Sequence, residues 1–278
     1  MDNAALRKLQ LTQLEMLKEV KRVCDNNGIA YFLDSGTLLG AVRHGGFIPW
    51  DDDLDVGMLR SEYDKFIECA KRDLKDEYFL QTWETDPGYP MPYAKIRKKN
   101  TYYGEKSFEK ADINQGIFID IFPYDVWPAK RKRAFFNRIS RLRALLVAKC
   151  KYMRVRSDKF YKSVIKFFIV TVVRFFSLFT TKEKLIRKYE KLVLRTNAAE
   201  SDELFEETLH YKFGYWVLPK SVFRGYASMK FEDEEFSVPS GYDEYLTAVY
   251  GDYMTLPPED KRGGHNVARV IFDTEKGE

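Results

Sequence analysis

The 278-residue chain carries 46 Lys and Arg against 42 Asp and Glu, a net charge of +4, and is 45% hydrophobic and 15% aromatic. Such a chain buries a sizeable core as one large domain or a core with an appendage, and its small charge excess does not point to nucleic acid. Cys24, Cys69 and Cys150 are widely spaced and lack a CxxC pair, which argues against a disulfide framework or zinc site and fits a reducing cytoplasm.

The N-terminal stretch is charged and has neither the apolar core nor the cleavage site of a signal peptide. Leu6, Leu9, Leu14, Leu17, Val20 and Cys24 recur at helical spacing before Asn27-Gly28, so residues 1–27 read as an amphipathic helical segment. IAYFL follows as a buried strand, TLLGAVRH as a short helix, and GGFIPW as a loop into a strand beginning near Asp53. Ser61, with Asp64 behind it and apolar residues at 63, 66, 67, 70 and 74, predicts a capped helix. Strands are expected at 78–83, 93–103 and 116–122. Residues 28–127 therefore read as an α+β core with a mixed sheet. From Pro128 the pattern changes to long basic helices near 129–150, 159–180 and 182–196, a basic helical segment over 128–200. Residues 201–278 return to aromatics and turns and are expected to fold back on the core.

Residues 49–57 read PWDDDLDVG, and acids gather again at 232–235 while bases gather at 130–166. In a strand Asp53-Leu54-Asp55-Val56, alternation places Asp53 and Asp55 on one face and Leu54 and Val56 in the core. Asp120 is the only charge in GIFIDIF, and a lone carboxylate in an apolar strand is costly unless paired or bound to a cation. Asp53, Asp55 and Asp120 are thus candidate ligands. An oxygen-only set without His or Cys suits Mg²⁺ or Mn²⁺. Asp51, Asp53, Asp55 and Glu62 also match positions of an EF-hand loop, but Val56 stands where glycine is needed and Pro49 disfavours an entering helix. Asp51 and Asp52 read as loop caps or supports. The turn Ser35-Gly36 opening a helix at Thr37 aims backbone N–H groups forward, which favours phosphate.

The run DSGTLLGAVRHGGFIPWDDDLDVGM, with GIFIDIFPYD and YGDYMTLPPEDKRGGH, resembles the LicD family of bacterial phosphocholine transferases and animal fukutin-related proteins. That resemblance spans about residues 28–266. It implies a nucleotidyltransferase-like fold and transfer of a phospho-substituent from a CDP-linked donor to a glycan, and it includes the positions of Arg262 and His265. Arg43, Lys95 and Arg97 are the candidate cations for the donor diphosphate. Asp120, and after it Asp125, are the candidate general bases.

Lys159, Lys162, Lys166 and Arg174 fall within ~120° on a wheel of ~100° per residue, leaving a broad apolar face over 159–181. No charge-free run there is long enough to span a bilayer. A helix lying in an anionic membrane interface and a buried helix with snorkelling lysines both fit. The expected function is a metal-dependent phosphotransferase acting on a lipid-linked glycan acceptor such as teichoic acid, lipopolysaccharide or capsule. Its expected place is the cytoplasm, peripheral to the inner face of the membrane. Nucleotidyl transfer with release of pyrophosphate, or a non-catalytic glycan- or membrane-binding module, are the alternatives.

Overall fold

In the computed structural model of the chain, residues 1–106, 108–150, 160–211, 214–264 and 267–273 are described, with the backbone path only for 160–167, 207–211, 214–216 and 268. Asp2 caps the first helix by accepting from Ala5 N at 2.8 Å, and Gly28 ends it in the left-handed conformation at φ 59. That helix, α1 (Asn3–Asn27), buries Leu9, Met16, Leu17, Val20 and Val23, while its buried Gln10 and Gln13 reach sideways. Gln10 Nε2 donates to Asp51 O at 3.0 Å, and Gln13 Nε2 donates to Asp52 O at 3.1 Å and Phe118 O at 3.2 Å. The helix therefore holds the backbone of the acidic loop in place.

The elements that follow are β1 (Phe32–Leu33), α2 (Ser35–His44), β2 (Asp55–Leu59), α3 (Arg60–Asp73), β3 (Tyr78–Gln81), β4 (Ala94–Lys98), β5 (Tyr102–Glu105) and β6 (Phe118–Val126). Strands run in the order β1-β2-β6-β4-β3, with β2 parallel to β6 and β4 antiparallel to it. With α-helices beside a mixed sheet, the fold is α+β. Three helices come next, α4 (Lys132–Lys149), α5 (Phe160–Ser177) and α6 (Lys182–Asn197), and α4 buries Phe135, Ile139, Leu142 and Leu146 in a cluster with Leu185, Tyr189 and Val193 of α6. The remaining elements are β7 (Glu203–Tyr211), β8 (Gly214–Pro219), β9 (Tyr226–Phe231), β10 (Glu234–Pro239), α7 (Tyr242–Tyr250) and β11 (Val267–Ile271). The last turn of β6 pairs with β7 through Asp125 and Phe205, β11 pairs with β5, and Phe223, Phe231, Phe236 and Tyr245 lie in the main core.

Four expectations differ from the structure. The strand after the acidic loop starts at Asp55, not Asp53, and Thr37 Oγ1 holds this first residue by accepting from Asp55 N at 2.9 Å. The strand expected over 93–103 breaks in two at Asn100, which has φ 57, and its second half pairs with β11 instead of β6. IAYFL contributes only the two residues of β1. Ser61 lies inside α3, whose preceding residue Leu59 makes no side-chain cap; burial of Tyr63, Phe66 and Ala70 holds this helix to the sheet. Close approach dictates Gly40: a Cβ there would lie 2.5 Å from Gly46 O, so α2 and the loop leading to the aspartates touch backbone to backbone.

Candidate active site

Parallel pairing sets Asp55 opposite Asp120, and antiparallel pairing sets Asp120 opposite Lys95. Paired residues share a face of a sheet, so Asp55, Asp120 and Lys95 form a row across three strands. The row is nearly closed to solvent, at 8%, 7% and 5% exposure respectively. Lys95 Nζ lies 2.8 Å from Asp120 Oδ1 and 3.4 Å from the centroid of the Phe118 ring. Lys95 is the cation that partners Asp120 Oδ1.

Negative charge exceeds what one ammonium group offsets. Burial, followed by the charges of Asp53, Asp120, Asp34 and Asp51, holds the Asp55 carboxyl well above the ordinary range. Burial pushes Asp120 up to about 6, against the pull of Lys95. Among the described residues no three His, Cys, Asp or Glu groups converge as a ready metal cage. Asp55 and Asp120 face each other as a pair, while Asp53 lies upstream of the ladder. An all-oxygen pair whose charge one ammonium does not offset fits Mg²⁺, which is commonly held by one or two carboxylates with substrate phosphates and water completing the shell.

The start of α2 is crowded by carboxylates. Ser35, at φ 46, donates its N–H to Asp34 Oδ1 at 2.8 Å, and a Cβ on Gly36 would lie 2.9 Å from Asp51 Oδ2. A positive φ costs a serine about 1–2 kcal/mol, so the surrounding structure imposes it. Thr37 Oγ1 orients the Asp55 backbone, as noted above. Asp34 itself is fully buried, accepts from the hydroxyls of Tyr124 and Tyr245, and is pushed up to about 6 by burial against those hydrogen bonds.

Of the expected cations, Arg43 and Arg262 neighbour each other. Arg43 Nη1 donates to Tyr253 O at 2.8 Å, and Arg262 lies over the Trp50 ring at 5.2 Å. Burial, and then the charge of Arg262, lowers the Arg43 pKa. Tyr250 is 42% exposed overall, yet its phenol stands in the field of both sides: lost solvation at the hydroxyl first, then Asp55, Asp34, Asp51 and Asp53, raise its pKa, and its negative form would favour the charge on Arg43. A Cβ on Gly264 would lie 2.6 Å from Asp52 Cγ, so the KRGG segment reaches the acidic loop; His265 after it is outside the described residues. Arg97 is turned inward at 1% exposure, donating to Gln81 Oε1 and Gly116 O, both at 2.8 Å. Asp125 accepts from Arg60 Nε at 2.8 Å, Arg60 Nη2 at 2.7 Å and Asn197 Nδ2 at 2.6 Å. Its carboxylate is committed to these donors, which does not suit a base.

Asp34, Tyr124, Tyr245 and Tyr250 are additions of the tertiary structure. Asp34 had a local signal, since an Asp before a helix start is a natural N-cap. The tyrosines had none beyond the place of Tyr250 at the head of YGDYMTLPPEDKRGGH.

The family model described as LicD/FKTN/FKRP, nucleotidyltransferase domain, matches residues 28–141. A lipopolysaccharide cholinephosphotransferase LicD of Haemophilus influenzae is 32% identical over 279 residues, covering 98% of this chain and 100% of that protein. A human ribitol 5-phosphate transferase FKRP is 47% identical over 49 residues, 16% of this chain and 10% of its own. An uncharacterised protein of Rickettsia prowazekii is 46% identical over 55 residues, 20% of this chain and 21% of its own. With a relative this similar along its whole length, the chain belongs to the LicD family.

Proposed function

We propose that the protein is a metal-dependent phosphotransferase with a nucleotidyltransferase-like core. It moves phosphocholine or a similar phospho-alcohol from a CDP-linked donor to a sugar hydroxyl of lipopolysaccharide or another cell-envelope glycan. The observation that carries this reading is the buried row Asp55–Asp120–Lys95, whose negative charge calls for a cation, in a chain that matches a lipopolysaccharide cholinephosphotransferase end to end. A Mg²⁺ or Mn²⁺ ion held by Asp55 and Asp120, with Asp53 beside them, would neutralise the donor diphosphate. Arg43 and Arg262 supply further positive charge, and the Ser35-Gly36-Thr37 turn and His265 complete the nucleotide side. The acceptor hydroxyl attacks the phosphorus that bears the alcohol, the bond from that phosphorus to the bridging oxygen breaks, and cytidine monophosphate leaves. Asp120, the acid at the centre of the row, takes the hydroxyl proton. Lys95 offsets the charge of Asp120 between turnovers.

Incubation with CDP-choline, a lipopolysaccharide acceptor and Mn²⁺ should release cytidine monophosphate and label the glycan, and chelator should stop both. Release of pyrophosphate would instead assign nucleotidyl transfer, and no turnover of any CDP donor would leave a binding module.

The acceptor is met at an anionic membrane surface. Phe168, Ile169, Val172, Phe175 and Phe176 of α5, with Phe179 just beyond it, are each more than half exposed. Their spacing places them on one helix face. No described helix is long and apolar enough to cross a membrane. The neighbouring α4 has six basic residues and no acid, so the apolar face is flanked by charge that complements anionic lipid. Lys159 lies outside the described residues, as do the side chains of Lys162 and Lys166. Vesicles containing phosphatidylserine should co-sediment the protein at low salt. The double variant Phe176→Asp/Phe179→Asp should bind at least roughly tenfold more weakly, since each phenylalanine is worth about 1.5–3 kcal/mol of burial. Unchanged binding by that variant, or a change in its oligomeric state alone, would remove the membrane from this reading.

A further inference from the structure

A cavity of about 650 Å³ opens between α3, α6 and the chain joining β3 to β4. Its walls are aromatic: Tyr63, Trp83, Tyr93 and Tyr189 line it, with Trp83 and Tyr189 meeting edge to face at 5.5 Å. Its charge is one-sided. Five carboxylates line it against three basic side chains. Of those three, Arg60 is committed to the buried Asp125 by two bonds, and Lys71 lies 2.8 Å from both Glu68 and Glu84. Glu190 is exposed at the rim, and partial loss of solvent there, then the charge of Glu84, raises its carboxyl, with Asp64 adding to the effect. The lining thus carries negative charge that its own cations do not offset.

This combination selects a ligand chemistry. A phosphate or carboxylate would be repelled by the acids. A bare metal ion needs converging oxygens, which the described residues do not offer here. A neutral sugar would stack on the rings but leave the carboxylates uncompensated. An ammonium group with alkyl substituents meets both demands, because ring faces attract the cation and its methyl groups fill apolar space. The cavity also borders the site already described. Tyr93 lines it, packs on Phe122 with centroids 4.7 Å apart, and lies with its ring centroid 5.9 Å from Lys95 Nζ.

We propose that this cavity seats the cationic end of the transferred phospho-alcohol, an alkylated ammonium group caged by Trp83, Tyr189 and Tyr93 and faced by Glu84 and Glu190. This rests on the phosphotransferase reading for the identity of the cation, and the Tyr93 wall links the cavity to the Asp120 row. The Trp83 indole N–H, buried without a hydrogen-bond partner, is a donor for an oxygen of the same ligand.

The test uses the full chain, choline chloride, and its uncharged isostere 3,3-dimethylbutanol, with saturation-transfer NMR read on the methyl signals. Choline should bind at least roughly tenfold more tightly than the isostere. Trp83→Leu and the conservative Glu190→Gln should each weaken choline roughly fivefold or more, and should raise the KM for CDP-choline by the same factor. Equal binding of choline and isostere would overturn the proposal, as would choline affinity unchanged in both variants. If wild-type protein turns over CDP-choline and both variants keep its KM, the cavity assignment fails while the reaction stands. If choline binding follows the variants but no CDP donor is turned over, the reaction fails while the cation site stands.

Discussion

Asp55→Asn and Asp120→Asn should lose Mn²⁺ binding and donor turnover together, with kcat falling by about three orders of magnitude. Each substitution keeps the size of the side chain and removes one negative charge from a row that is almost fully buried. A cation held by two carboxylates loses its main attraction when either is neutral, and groups that act as one unit do not lose their effects additively. The fold should survive. In chelator Asp55→Asn should melt no lower than wild type, because the repulsion that raises Asp55 is relieved, whereas Asp120→Asn should melt lower, since it leaves Lys95 buried without its counter-charge. Asp53→Asn should follow the same course, whereas Asn at Asp51 or Asp52 should do less, since their backbones are held by Gln10 and Gln13 whatever the side chain. Calorimetric titration with Mn²⁺ beside the cytidine monophosphate assay checks this. Wild-type affinity in the Asp55→Asn and Asp120→Asn proteins would place the cation elsewhere.

The second large effect concerns stability. Asp125→Asn should cost about 3 kcal/mol and lower Tm by roughly 6–12 °C, because it takes from the mostly buried Arg60 its bidentate counter-charge and leaves only the exposed Asp64 at 3.4 Å. Burial works against the charge on Arg60, and Asp125 overcomes it by Coulomb attraction and two hydrogen bonds. The same carboxylate accepts from Asn197 at the end of α6, so the pair ties α3, β6 and α6 together. Removing both charges with Arg60→Met/Asp125→Leu should recover much of the loss, since a well-packed apolar pair is often as stable as a buried ion pair. Thermal unfolding measures this, and turnover at low temperature separates the roles. An Asp125→Asn protein that melts like wild type yet fails to turn over would make Asp125 a proton acceptor after all.

The parts of this protein that local chemistry dictates were readable from residue order. Leucines at helical spacing between Asp2 and Gly28 specify α1, and the three basic helices follow from the same periodicity. The lone Asp120 in an apolar strand and the Asp-Leu-Asp run pointed to one charged site because buried carboxylates need a reason. Tertiary structure decided what depends on distant neighbours. Lys95 and Arg97 share one face of β4, yet Lys95 meets Asp120 while Arg97 turns in to Gln81 and Gly116. Asp34 is a buried acid that accepts from the hydroxyls of Tyr124 and of Tyr245, 211 residues away. The apolar face of α5 reads the same on a wheel whether it meets lipid or core, and the tertiary structure leaves Phe168, Ile169, Val172, Phe175 and Phe176 more than half exposed among the described residues. Spacing along a chain sets which residues share a face, but burial, charge balance and the direction of a side chain are sums over groups that sequence order does not place side by side.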